Sequence, residues 1–263
     1  MLFLTKKMLN ITKNPKPIDP VLIPEVNVFL FGKGRVDFAW NFAREVPFWY
    51  LYYNTEPGAY LNFSGREVRP TGQEIVLIPP NTPFRSACEA PFEHLYLHFT
   101  AGYPYSRVRR EVLIFDCSIC GTLDLLLTSE RPTEAAVYAL LFSALAAIPQ
   151  DRFEPEDVPV DHRIQYSMSL MNQGWKKKDI CRKIGMSQSN FQRRFKAEIG
   201  ISPHQYSKQL ALEKARAMLS FGTASINEIA ERCGFADRYI FSKAFKKETG
   251  ISPAEYRSRR RSE

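Results

Sequence analysis

Residues 198–208 read EIGISPHQYSK, and residues 248–258 read ETGISPAEYRS. The phrase Gly-Ile-Ser-Pro-x-x-Tyr therefore occurs twice, fifty residues apart. Its local physics is that of a helix junction. Gly200 and Gly250 tolerate the left-handed backbone that commonly follows the last turn of a helix. Ser202 and Ser252 are good N-caps, and Pro203 and Pro253 suit the first helical position. Gln205 and Glu255, three residues past each serine, complete the pattern of a capping box. Each phrase ends one helix and begins another within four residues. Its repetition predicts a duplicated helical unit.

The repeat extends well upstream. Phe191, Arg193, Phe195, Lys196 and Glu198 match Phe241, Lys243, Phe245, Lys246 and Glu248 at an offset of fifty. Further back the offset falls to forty-nine, with Ile180, Ile184 and Gly185 matching Ile229, Cys233 and Gly234. The second copy thus holds one extra residue, which the alignment places between Ala236 and Ile240. Each copy reads as a short helix, a glycine turn and a second helix, which is the helix-turn-helix plan. Phe191/Phe195 and Phe241/Phe245 take the inward i, i+4 positions.

Charge divides the chain in the same place. Residues 162–263 hold 21 Lys and Arg against 9 Asp and Glu, whereas residues 1–161 hold 15 against 19. A basic carboxy-terminal part points to a polyanion partner for that part alone, or to a solvated basic surface. No apolar run reaches the roughly 20 residues of a membrane span, so no membrane partner is expected. The start, MLFLTKKMLN, does not read as a secretory signal. Five cysteines without framework spacing read as reduced thiols of a cytoplasmic protein.

The amino-terminal part reads as β. FWYLYYN (48–54) and QEIVLI (73–78) are strand-forming, and turn signals stand at Ser64-Gly65 and Thr71-Gly72. In FEHLYLHF (92–99), Leu95, Leu97 and Phe99 share one face while His94, Tyr96 and His98 share the other. These short strands predict a sandwich or barrel. After Ile119 the texture becomes helical. Residues 133–148 are apolar nearly all round, which suits a core helix or a subunit contact. Residues 149–161, rich in proline and acids, read as a linker. The expected organisation is a tail (1–20), a β domain (21–148), the linker (149–161) and an all-α domain (162–263).

INEIAERCGFADRYIFSKAFKKETGISPAEYR (226–257) closely resembles the signature of the AraC family of bacterial transcription regulators. KDICRKIGMSQSNFQRRFKAEIGISPHQY (178–206) resembles that family's first helix-turn-helix. The stretch GREVRPTGQEIVLIPPNTPF (65–84) with FEHLYLHF looks like the family's cupin-like effector domain. The resemblance implies a two-domain α+β fold: a jelly-roll or cupin-like domain with trailing helices, then seven helices. The fourth, near 203–220, would be a rod between two readers of successive major grooves.

The resemblance also implies the contact residues. On the first recognition helix they are Ser187, Gln188, Ser189, Asn190, Gln192, Arg193 and Lys196. On the second they are Asp237, Arg238, Tyr239, Ser242, Lys243 and Lys246. Gln and Asn suit adenine and Arg suits guanine, while Lys196 and Lys246 suit phosphate. The run Arg257, Arg259, Arg260 and Arg261 reads as a solvated or phosphate-neutralising tail. Double-stranded DNA, RNA polymerase, a second copy of the chain and a small-molecule effector are the implied partners.

His94 and Tyr96 match positions at which the family's arabinose-responsive member meets its sugar. With Trp40 they form the expected effector site, although core packing is the preferred reading of Trp40, Trp49, Tyr50 and Tyr52 as aromatic surface. No enzyme is expected. Phe84 stands where metal-dependent cupins place a histidine, so neither metal nor cofactor is expected. No nucleophile with a paired base is evident.

Overall fold

Strand alternation organises the amino-terminal half. The computed structural model describes residues 25–36, 40–155, 161–221 and 223–261. The expected tail at 1–20 and residues 156–160 of the expected linker lie outside the described residues, as do the side chains of Arg259, Arg260 and Arg261. Among the described residues, nine strands, β1 (Val26–Val36), β2 (Phe42–Arg44), β3 (Trp49–Asn54), β4 (Ala59–Phe63), β5 (Arg66–Val68), β6 (Glu74–Ile78), β7 (Phe84–Cys88), β8 (Phe92–Ala101) and β9 (Leu113–Asp116), form two antiparallel sheets. Their orders are β1-β8-β3-β6-β9 and β2-β7-β4-β5. Ser64 (φ 51) and Gly65 (φ 95) form the two-residue loop between β4 and β5, where a tight hairpin needs positive φ at both positions.

The five-stranded sheet is buried on both faces. Tyr50, Tyr52 and Tyr96 point into the space between the sheets, with Trp40, Leu61, Phe84 and Phe92. Trp49, Leu51, Leu95, Leu97 and Phe99 point the other way, onto α1 (Leu123–Thr128) and α2 (Glu134–Ala146). This explains why every residue of β3 is buried, although its sequence does not alternate in polarity. One face of α2, with Val137, Leu140, Leu141, Ala144 and Leu145, covers the sheet, while Phe142 remains 42% exposed.

Seven helices follow among the described residues: α3 (His162–Asn172), α4 (Lys177–Lys183), α5 (Gln188–Ile199), α6 (Pro203–Phe221), α7 (Ile226–Arg232), α8 (Arg238–Thr249) and α9 (Pro253–Arg261). They enclose two small cores. Ile164, Met168, Ile180, Ile184, Phe191, Phe195, Tyr206 and Leu210 fill the first. Leu212, Ala215, Leu219, Ile229, Phe241 and Phe245 fill the second. The rod α6 supplies both, which makes its sides unequal. Leu210 is buried, whereas Ala211, Lys214, Ala217 and Met218 are only half-buried, and the buried set continues through Leu212, Glu213, Ala215, Arg216 and Leu219.

The repeated phrase does what its chemistry requires. Gly200 (φ 87) and Gly250 (φ 81) are left-handed and close α5 and α8. Ser202 Oγ accepts from Gln205 N at 3.2 Å and Gln205 Oε1 accepts from Ser202 N at 3.0 Å, a full capping box. Ser252 Oγ accepts from Glu255 N at 3.2 Å. Each tyrosine of the phrase packs on the second phenylalanine of its recognition helix, Tyr206 on Phe195 at 5.5 Å and Tyr256 on Phe245 at 5.3 Å.

Candidate nucleic-acid interface and an enclosed pocket

The two helix-turn-helix units superpose in sequence register more simply than the alignment alone suggests. α4 and α7 are offset by forty-nine residues, and α5 and α8 by fifty. The N-caps Ser187 and Asp237 already stand fifty apart. The extra residue therefore lies in the turn between Gly234 and Asp237, before the helix begins.

Both recognition helices bury two phenylalanines and expose the opposite face. Gln188, Ser189, Gln192, Arg193 and Lys196 are exposed on α5, and Arg238, Tyr239, Lys243 and Lys246 on α8. Asn190 and Ser242 are half-buried. Four expected contacts also have local duties. Ser187 Oγ accepts from Asn190 N at 3.3 Å. Asp237 Oδ1 accepts from Tyr239 N at 2.7 Å and Ile240 N at 2.8 Å, satisfying two backbone donors at the start of α8. Arg193 Nη2 donates to Asn190 Oδ1 at 3.1 Å, so these two side chains present themselves together. Arg194 pairs with Asp161 at 3.2 Å, on the cap of α3.

The residues expected to meet an effector converge on one cavity of about 80 Å³, where the barrel meets α6 and α9. Trp40, His94 and Tyr96 all line it, with Tyr52 and His98. The ring of Tyr96 lies so close to β1 that a Cβ on Gly32 would fall 2.3 Å from its hydroxyl, so any larger residue there would displace the ring. His94 stacks on Tyr96 at 5.4 Å and meets Trp40 at 5.3 Å. Its Nδ1 lies 2.7 Å from Asn54 Oδ1, and since that oxygen only accepts, the ring nitrogen carries the proton.

The other wall holds charges that sequence reasoning missed. Glu213 and Arg216 of α6 are 5% and 7% exposed. Glu213 accepts from Arg216 Nη1. Its carboxylate also lies 3.8 Å from Arg44 Nε of β2 and 3.7 Å from His98 Nδ1 of β8. The two arginines hold the Glu213 carboxyl below the usual range, Arg216 before Arg44, although burial opposes them. Burial pushes His98 down to about 3, so it is neutral. Nε and Nη2 of Arg216 find no acceptor among the described residues. The cavity that Arg216 lines has room for a few waters, or one ligand group, to accept from them. The sequence signal was a pair of opposite charges three apart in a helix of mixed polarity, which reads as solvent-facing until the β domain is laid over it.

Among the described residues, no group of three His, Cys, Asp or Glu is placed to hold a metal, and no helix is long and apolar enough to cross a membrane. Further hydrogen bonds join the two halves, from Asn172 Nδ2 to Thr100 Oγ1 at 2.8 Å and from Ser169 Oγ to Asn27 Oδ1 at 3.3 Å.

A family model described as a helix-turn-helix domain matches residues 180–259. The xylose operon regulatory protein of Escherichia coli strain K12 is 37% identical over 101 residues, covering 38% of this chain and 26% of that protein. The regulator MtrA of Neisseria gonorrhoeae is 31% identical over 102 residues, covering 39% and 34%. The raffinose operon regulator RafR of Pediococcus pentosaceus is 30% identical over 127 residues, covering 46% and 45%. The chain thus matches between about a quarter and under half of the length of these relatives. Across both domains, ToxT of Vibrio cholerae shares the fold, with a TM-score of 0.55 at 14% identity over 89% of this chain and 97% of that one. The molecule is a two-domain helix-turn-helix protein with a β-rich amino-terminal region. Its carboxy-terminal region carries a helix-turn-helix domain of the AraC type.

Proposed function

We propose that the chain is a sequence-specific, double-stranded DNA-binding transcription regulator that responds to a small-molecule effector. The observation that carries this reading is the pair of recognition helices. They have equal length, matching caps and the same buried face, and each exposes polar and cationic side chains within a basic domain. Two such helices joined by a rod suit successive major grooves about one helical turn, ~34 Å, apart. The contacts we propose are Gln188, Ser189, Gln192 and Arg193 on the first helix and Arg238, Tyr239, Ser242 and Lys243 on the second. Lys196 and Lys246 hold phosphate. Ser187 and Asp237 start the helices, and Asn190 orients Arg193.

Selection of bound sites from a random DNA library, followed by hydroxyl-radical footprinting, tests this. Two protected patches one turn apart are expected, and a single patch would sink the two-groove reading. Arg193→Ala is expected to cost about 1–3 kcal/mol and to relax one base position. An equal loss on all sequences would make Arg193 a phosphate contact.

The effector enters the cavity lined by Trp40, His94 and Tyr96. A sugar is the first ligand class to test, because aromatic faces beside a polar anchor suit a sugar ring and two of the relatives are named for sugar operons. The cavity is small and Glu213 of the rod forms its wall, so an occupant changes the contact between barrel and rod. That contact is the route by which the effector reaches the readers. Dimerisation through the exposed side of α2, near Phe142, and recruitment or blocking of RNA polymerase complete the mechanism. Titration calorimetry over a sugar panel, with His94→Ala as the comparison, tests the site. Saturable binding unaffected by the substitution would remove His94 from it.

A further inference from the structure

Five large apolar side chains are markedly exposed among the described residues: Leu125, Phe142, Trp175, Tyr239 and Ile240. Two of them are neighbours on the first turn of α8. Tyr239 is 71% exposed and Ile240 53%, while the next residue, Phe241, is fully buried. The folded core therefore has no claim on Ile240. A β-branched residue is a mediocre choice for an exposed helix turn, and leaving it in water forgoes most of the stabilisation its burial would bring.

The surroundings say what covers it. Arg238, Lys243, Lys246 and Lys247 are all exposed on the same short helix. The Arg238 guanidinium lies 5.0 Å from the centroid of the Tyr239 ring. An apolar tip collared by cations fits a partner that is anionic outside and apolar at one point within. The major groove is such a surface: phosphates flank it, and the thymine 5-methyl is the apolar group it presents. The first unit has no such tip, because the residue fifty positions earlier is Asn190, half-buried and bonded to Arg193.

We infer that Ile240 is a specificity-determining residue that reads thymine through its 5-methyl group, making the second helix-turn-helix an apolar reader where the first is a polar one. This rests on the DNA-binding function proposed above. Desolvating one methyl against Ile240 is expected to change affinity roughly fourfold.

The test uses the full chain and a DNA site selected by it. Each thymine is replaced singly by deoxyuridine, which removes only the methyl. Affinities are measured for the wild type, Ile240→Val and Ile240→Ala. Ile240 is exposed, so both variants are expected to fold, which thermal melting checks. The expected result is a roughly fourfold loss at one or two thymines under α8 for the wild type, retained in Ile240→Val and abolished in Ile240→Ala. Deoxyuridine scans that are flat for the wild type, or losses undiminished in Ile240→Ala, would overturn the inference while leaving the DNA-binding reading intact. Unchanged DNA affinity of Ile240→Ala with loss of transcription would also overturn it, and would assign the tip to a protein contact. Failure of the wild type to select any sequence would remove the DNA-binding reading and this inference together.

Discussion

α5 and α8 are both twelve residues long, begin on a side-chain cap and end on a left-handed glycine. The first turn of one nevertheless presents Asn190, and that of the other Ile240. The units also differ in what anchors them. The first is tied to the barrel through Asn172–Thr100 and by Asn81 Nδ2 donating to Ile199 O at 3.4 Å. The second reaches the barrel through the cavity wall, where Tyr256 of α9 stands beside Glu213 and Arg216 of the rod. Duplication fixed the scaffold twice, and the neighbours of each copy then diverged. The unit whose last helix lines the enclosed cavity is the one with the apolar tip.

Substitutions can break this comparison. Phe195 and Phe245 are both fully buried at equivalent positions, so Phe195→Ala and Phe245→Ala should each cost about 3–5 kcal/mol. Urea melts of the two variants check this, and a much smaller loss in one would show that its unit is not a close-packed core. Glu213→Ala leaves two arginines facing a pocket without their carboxylate, and is expected to cost about 3–5 kcal/mol. Glu213→Gln should cost less, because it can still accept from Arg216.

The same cluster sets a pH dependence. His98 is held neutral, so below about pH 6.5 the unfolded chain takes a proton that the folded protein refuses. Stability should therefore fall from about pH 6.5 towards His98's folded value of about 3. The depressed Glu213 carboxyl acts in the same sense, with its contribution lost as pH falls below the ordinary glutamate range. Melting temperatures across pH 4–7 should show a steeper acid limb for the wild type than for His98→Phe. Parallel limbs would mean that His98 is not buried as described.

Smaller changes test the shared scaffold. No heavy atom stands within 4 Å of a Cβ built at Gly200 or Gly250, so alanine there costs only backbone strain. About 1–2 kcal/mol is expected for each, and nearly equally. A large difference between the two in thermal melts would show that the helix ends are not equivalent. Ser187→Ala should cost about 1 kcal/mol and Asp237→Ala up to about 2, since Asp237 satisfies two backbone donors and Ser187 one.

Much of this was legible in the sequence, because it depends on local chemistry. Glycine, serine and proline at fixed spacing specify a helix end and a helix start wherever they occur, and phenylalanines four apart specify a buried face. The alternation in residues 92–99 separated two sets of side chains, and the structure sends them to opposite sides of the sheet. β1 was not anticipated, since Gly32, Lys33, Gly34 and Arg35 interrupt its apolar pattern. Its glycine is explained by Tyr96, a contact made across two strands. The extra residue of the second unit was located only to within five positions, because alignment cannot distinguish a turn from the helix that follows. The Asp237 cap places it in the turn.

The sequence by itself determined the duplicated helical unit, its junctions and the inward faces of its helices, because those follow from the preferences of a few adjacent residues. Only the tertiary structure decided that Glu213 and Arg216 of the rod turn away from water to meet Arg44 and His98. It also decided that Trp40, His94 and Tyr96 share a cavity with them, and that Ile240 is left outside every core. Those outcomes depend on which surfaces are brought together across a hundred residues or more of chain. Burial and charge pairing at such distances are properties of the packed molecule and leave no periodicity in the sequence.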